Sequence, residues 1–166
     1  RPQGASCDIG AFERVVAGCV VSSTADSGSG TLRSCLEATE VSTITFNLPG
    51  SAPWTIPLAS DLPTVTRAIS VTGPGPTTAS LIVNRNSTVF PATAFPVGAG
   101  GTLTLSGLTV TGADRGVTLV ATSSATVTNS TFSGNTRGLS LAANSSATVT
   151  SSTFHGNTYG LYFAAG

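Results

Sequence analysis

Few side chains in this chain can do chemistry, and their types and spacing say which chemistry is open. The acids are Asp8, Glu13, Asp26, Glu37, Glu40, Asp61 and Asp114. Polysaccharide cleavage needs two or three carboxylates close together, as acid, base or nucleophile, or to hold calcium. Only Asp61 and Asp114 fall in the repetitive part of the chain, and nothing in their spacing brings them together. A polysaccharide lyase or glycoside hydrolase fragment therefore stands as an alternative reading, with no catalytic residue assigned. His155 has no neighbouring Ser, Cys or carboxylate to work with. Cys7, Cys19 and Cys35 lack Cys-x-x-Cys spacing and companion histidines, so no metal or cofactor site is assigned. Cys19 and Cys35 flank a Gly/Ser-rich turn, which suits a disulfide in an oxidising compartment, although two buried free thiols fit equally.

The elements that must position these groups repeat every 22 residues. Stretches 105–119, 127–141 and 149–163 align, with Val110, Phe132 and Phe154 in one column. Gly112, Gly134 and Gly156 form a second column, and Gly116, Gly138 and Gly160 a third. A period of this size, filled with short strand-like segments, signals a solenoid. In Ala-Thr-Val-Thr the period-two alternation points Val127 inward and Thr126 and Thr128 outward. Phe132, Leu139 and Leu141 are further inward positions, with bends expected at Gly134-Asn135 and at Gly138. The fold expected is all-β, a parallel β-helix with a short N-terminal capping helix. Stacking at about 4.8 Å makes Asn135 and Asn157 neighbours, able to form an inward amide ladder that satisfies turn backbone.

The same stacking groups the remaining polar side chains. Arg115 and Arg137 share a column with Tyr159, and His155 and Tyr162 lie close in sequence. That corner is a candidate contact surface for a glycan or a host or cell-surface protein, or merely a set of solvated turn residues. On the latter view Arg137→Ala should change stability little. Thr104, Ser106, Thr126, Thr128, Thr148 and Thr150 form an outward T-x-T array on three coils, similar to the face of ice-binding solenoids. High β-propensity of Thr on exposed strands explains it too. The sequons at Asn86, Asn129 and Asn144 arise by chance in so Ser/Thr-rich a chain.

Composition narrows the partners. Charged residues are 8% of the chain and balance to zero, which argues against nucleic acid, since phosphate contacts need clustered Lys and Arg. Ser and Thr together number 49, giving a surface of hydroxyls and an extracellular or cell-surface expectation. No apolar run is long enough to enter a membrane as a helix.

Residues 1–13 read as a tail or the end of a preceding repeat domain, 14–41 as an N-terminal cap, and 42–166 as solenoid. In the cap, VVAGCVVSS reads as a strand and TLRSCLEATE as a short helix, with Thr31 able to cap it and Leu32, Cys35 and Leu36 on one face. Nine prolines, all before residue 97, make the first coils less regular, and Trp54 is expected to pack there. The chain reads as a piece of something longer, its last coil open to fraying or end-to-end self-association.

Several phrases carry a family resemblance. CDIGAFE at 7–13 resembles the phrase that closes the repeat domain in bacterial secreted and surface right-handed β-helix proteins, an adhesin-like family similar to polymorphic outer-membrane protein repeats. TADSGSGTLRSCLEA at 24–38 resembles the opening segment, with ITFNLPG, ISVTGPG, LTLSGLTVTG and STFSGNT as its following phrases. A closing phrase ahead of an opening one implies a boundary between two repeat domains. The resemblance implies a non-enzymatic extracellular scaffold or adhesin-like stalk.

Overall fold

The computed structural model describes residues 17–74, 80–87 and 90–164. The expected tail over 1–13, its CDIGAFE phrase and Cys7 lie outside the described residues.

Three strands make one regular coil. The first set within the 22-residue repeat is β7 (Thr102–Ser106), β8 (Thr109–Thr111) and β9 (Arg115–Leu119). The pattern recurs as β10 (Ser124–Thr128), β11 (Thr131–Ser133) and β12 (Arg137–Leu141). It recurs again as β13 (Ser146–Thr150), β14 (Thr153–His155) and β15 (Tyr159–Phe163). Each strand pairs in parallel with its counterpart one coil on, as in Leu105↔Val127↔Val149 and Val110↔Phe132↔Phe154. Upstream, β1 (Ala17–Val21), β2 (Val41–Phe46), β3 (Trp54–Pro57), β4 (Ala68–Thr72), β5 (Leu81–Asn84) and β6 (Thr93–Val97) extend the same three sheets. The sheets run β1-β2-β4-β7-β10-β13, β3-β5-β8-β11-β14 and β6-β9-β12-β15.

Alternation within each strand fills the interior. Val127, Phe132 and Leu139 are fully buried and Leu141 nearly so, whereas Thr126 and Thr128 are partly exposed. Each such side chain contributes about 1.5–3 kcal/mol on burial. The Phe132 and Phe154 rings stack with centroids 5.0 Å apart and planes 7° from parallel.

Two glycine columns serve different ends. Gly134 sits at the bend with φ +63°, a backbone state that glycine enters without a Cβ penalty. Gly138, expected at a bend, lies inside β12 instead. A Cβ there would stand 2.5 Å from the Gly160 carbonyl oxygen and 2.6 Å from the Phe154 ring, so close packing selects glycine.

The upstream end is covered by α1 (Leu32–Glu37). The Thr31 hydroxyl accepts from the Ser34 amide, and the Ser34 hydroxyl accepts from the Thr31 amide, a reciprocal cap that satisfies two free donors. Leu32, Cys35 and Leu36 turn into the end of the stack. Arg67 donates to the Leu36, Ala38 and Val41 carbonyls and ties the helix terminus to the next rungs. The expected cap strand joins the first sheet, β1 pairing with β2, so the cap is itself a rung of the solenoid. Trp54 is half-buried against the core and donates to the Pro49 carbonyl.

Cys19 of β1 and Cys35 of α1 form a disulfide, with Cα atoms 5.7 Å apart. Closing a loop of this size removes about 3 kcal/mol of unfolded-state entropy. Replacing both cysteines by Ala is expected to lower the unfolding free energy by about 3 kcal/mol, read as a lower denaturant midpoint at unchanged slope. An unchanged midpoint would mean that the bond does not hold the cap.

Candidate functional site

Conformational demands at the corner between the second and third sheets determine which side chains meet there. The turn is short, its backbone groups point inward, and an amide must answer them. Asn135 Oδ1 accepts from the Ala113 amide at 3.0 Å, and its Nδ2 donates to the Val110 carbonyl at 3.1 Å. One coil on, Asn157 Oδ1 accepts from both the Asn135 amide and Asn135 Nδ2, and Asn157 Nδ2 donates to the Phe132 carbonyl. The expected Asn135–Asn157 pair thus forms a continuous ladder. A second ladder occupies another corner. The Ser130 amide donates to the Ser152 hydroxyl, and both hydroxyls bond the carbonyl two residues back. Nothing in so Ser-rich a sequence marks these two as inward-facing.

Outside the Asn ladder sits Asp114, only 7% exposed. Its Oδ2 lies 3.4 Å from both Arg115 Nε and Arg137 Nη1, on successive coils. Arg137 also stacks over Tyr162, 4.4 Å from its centroid, and Tyr162 meets Tyr159 edge-on at 5.6 Å. Arg115 stands 5.9 Å from the Phe90 ring. The Arg115–Arg137–Tyr159 column is in register in the third sheet. His155 belongs to the second sheet, opposite Ser133, and shares no hydrogen bond or ion pair with the arginines. The corner therefore consists of Arg115, Arg137, Tyr159 and Tyr162 around Asp114, with His155 set apart and exposed.

This arrangement changes the expectation for Arg137. It is not a solvated turn residue but half of the neutralisation of a buried carboxylate, with its side chain 18% exposed. Arg137→Ala is expected to cost about 1–3 kcal/mol, because Asp114 keeps only one charged partner. A denaturation midpoint unchanged within error would return Arg137 to the solvated class.

Asp61 is also engaged. Its Oδ1 accepts from Arg85 Nε at 3.1 Å and from the Thr93 amide at 3.0 Å, and its carbonyl accepts from Arg33. Its partners, Arg33 in α1, Arg85 after β5 and Thr93 at the start of β6, lie outside the 22-residue repeat, so no sequence signal paired them.

The outward hydroxyls lie on the first sheet. Thr104, Thr126 and Thr148 are in register, as are Ser106, Thr128 and Thr150. Ser70 and Thr72 continue both columns, and Thr43 extends the first by a further strand. Asn129 and Asn144, the sequon residues, occupy exposed turns with φ +46° and +60°, which Asn tolerates better than most residues.

Among the described residues, no group of three or more His, Cys, Asp or Glu side chains is placed to hold a metal, and no helix is long and apolar enough to cross a membrane. Three parallel sheets wound around one core, with inward amides at the bends, define a parallel β-helix. The chain belongs to the right-handed β-helix family, whose "right handed beta helix region" matches residues 67–166, more than half of its length. No curated protein and no solved structure matches it.

Proposed function

We propose that this β-helix is a non-catalytic extracellular scaffold, an adhesin-like surface stalk that meets a glycan or a cell-surface protein through weak contacts. One observation carries the reading: both solenoid carboxylates are committed to links between coils. Asp61 holds Arg85 and the Thr93 amide, and Asp114 holds Arg115 and Arg137. Acids used this way brace a wall. The Arg115, Arg137 and Tyr159 corner supplies charge and aromatic surface for contact.

The test is incubation of the folded protein with acidic and neutral polysaccharides, with and without calcium, following new reducing ends and unsaturated products. Adhesion of protein-coated beads to cells is measured alongside. Adhesion without products is the expected result. Turnover would replace the scaffold reading with a lyase or hydrolase.

The hydroxyl array favours a second reading, in which the first sheet orders water as an ice-binding face. Register extends the column to Thr43, Ser70, Thr104, Thr126 and Thr148, longer than the three coils of the repeat alone. Thermal hysteresis, abolished by Thr126→Lys without loss of fold, would establish it. Freezing behaviour like that of an inert protein would eliminate it.

A further inference from the structure

Two guanidinium groups share one carboxylate at the bend between the second and third sheets. Arg115 Nε and Arg137 Nη1 each lie 3.4 Å from Asp114 Oδ2, which leaves this corner with a positive charge in excess. The next carboxylate along the wall, Asp61, is answered by Arg85 and does not cancel it. Among the described residues the other acids, Asp26, Glu37 and Glu40, belong to the N-terminal cap.

The N–H groups of the pair are not all used. Both Nε atoms are enclosed beside the carboxylate, and Arg137 Nη1 bonds it. Arg115 Nη1 and Nη2 and Arg137 Nη2 have no acceptor among the described residues and are not enclosed, so they open on solvent. Each head is also held in place. Arg137 lies over the Tyr162 ring at 4.4 Å, and Arg115 stands 5.9 Å from the Phe90 ring. Register sets the two arginines on successive rungs, about 4.8 Å apart at the backbone. Fixing such side chains in advance removes much of the entropy that a free arginine loses on binding.

Two cations anchored from behind, with unused N–H groups turned outward, suit an oxyanion that gives one oxygen to each guanidinium. A cation is repelled, and a neutral ligand gains nothing from the excess charge. An acidic protein would need about 800 Å² of contact around apolar anchors. Next to the pair the wall offers the hydroxyls of Thr118 and Thr136 instead of aliphatic side chains. We propose that Arg115 and Arg137 form a subsite for an acidic sugar, whose carboxylate or sulfate bridges the two guanidinium groups. Asp114 holds both heads from behind and touches no ligand. This deepens the adhesin-like reading and rests on it for the choice of a glycan among oxyanions.

The experiment uses the whole chain with uronate and sulfated trisaccharides, neutral trisaccharides of the same linkage, and an acidic hexapeptide. NMR titration detects contact and calorimetry gives Kd. At least one acidic trisaccharide is expected to bind, less tightly as salt rises, and its neutral counterpart is not. Which of the two acidic kinds binds tells whether the group held is a carboxylate or a sulfate. Arg115→Gln should weaken binding about tenfold, the loss of a charged hydrogen bond. If that variant fails to fold, Arg115→Lys replaces it: the charge beside Asp114 is kept, the planar fork is lost, and binding should still fall. Ser51→Lys adds a charge in the exposed turn ahead of β3 and should leave the affinity unchanged. Full affinity in folded Arg115→Gln and Arg115→Lys overturns the proposal. So does a neutral trisaccharide that binds equally well, a hexapeptide that binds more tightly, or a folded protein that binds no acidic trisaccharide. Bead adhesion separates the two levels. Adhesion by a protein that binds no acidic trisaccharide keeps the stalk reading and removes the subsite. Binding of the trisaccharide without adhesion keeps the subsite and removes the stalk reading.

Discussion

Phe132→Asp is expected to destabilise the protein by more than about 4 kcal/mol, among the largest effects a single substitution produces. Phe132 is fully buried, and its ring is stacked on Phe154 of the next coil. Aspartate removes that stack and leaves a cavity, for which truncation of a buried Phe alone costs about 3–5 kcal/mol. It also brings a carboxyl group into an interior whose nearby backbone groups already have partners. Asn135 and Asn157 satisfy the neighbouring turn, and the flanking strands satisfy the rest. The new group finds no donor and must be buried charged or take up a proton, either at a cost. Coils contact chiefly their neighbours, so the damage should be local. Hydrogen exchange should lose protection across 124–163, while 41–71, braced by α1 and the disulfide, keeps it. Equilibrium denaturation showing the variant as stable as the parent would mean that the Phe column does not face the core.

The regular coils were legible because a fixed period turns one alignment into a set of spatial neighbours. Val127, Phe132 and Leu139 could be placed inward and Asn135 beside Asn157 without coordinates, since a shift of 22 residues in sequence is one rung in space. Upstream that mapping fails. Ala68 pairs with Thr102 and Trp54 with Leu81, so the earlier coils carry insertions of different lengths and no single offset aligns them. The candidate corner falls across this seam. Asp114, Arg115 and Arg137 belong to the periodic part, but Phe90, beside Arg115, comes from the irregular stretch between β5 and β6. Asp114 therefore read as a lone acid at a turn. Its burial and its two arginine partners depend on stacking that its own coil does not reveal. The hydroxyl columns show the converse: three coils were visible by repeat, and Ser70, Thr72 and Thr43 joined only through register.

Gly116→Ala separates packing from bending as the reason for a glycine column that recurs in every coil of the repeat. Gly116 lies within β9, and its φ is outside the left-handed region, so alanine meets no backbone strain of its own. The obstacle is space. A Cβ would stand 2.6 Å from the Gly138 carbonyl oxygen and 2.7 Å from the Phe132 ring, closer than real Cβ contacts come. The carbonyl belongs to the adjoining strand and cannot retreat without disturbing the ladder between β9 and β12. The ring is held by the Phe154 stack. Overpacking of this kind costs about 1–3 kcal/mol and more when the neighbours cannot yield, so we expect about 3 kcal/mol. Gly134→Ala is the comparison. Its new Cβ meets only the Thr111 hydroxyl at 3.4 Å, and its cost is the positive φ, about 1 kcal/mol. Phe132→Leu supplies the third arm: by shrinking the ring it should recover part of the loss in Gly116→Ala, and none in Gly134→Ala. A double-mutant cycle reads this as a coupling between positions 116 and 132 that is absent between 134 and 132. Equal losses at the two glycines, with no coupling to Phe132, would make both columns bends and remove close packing as the reason for either.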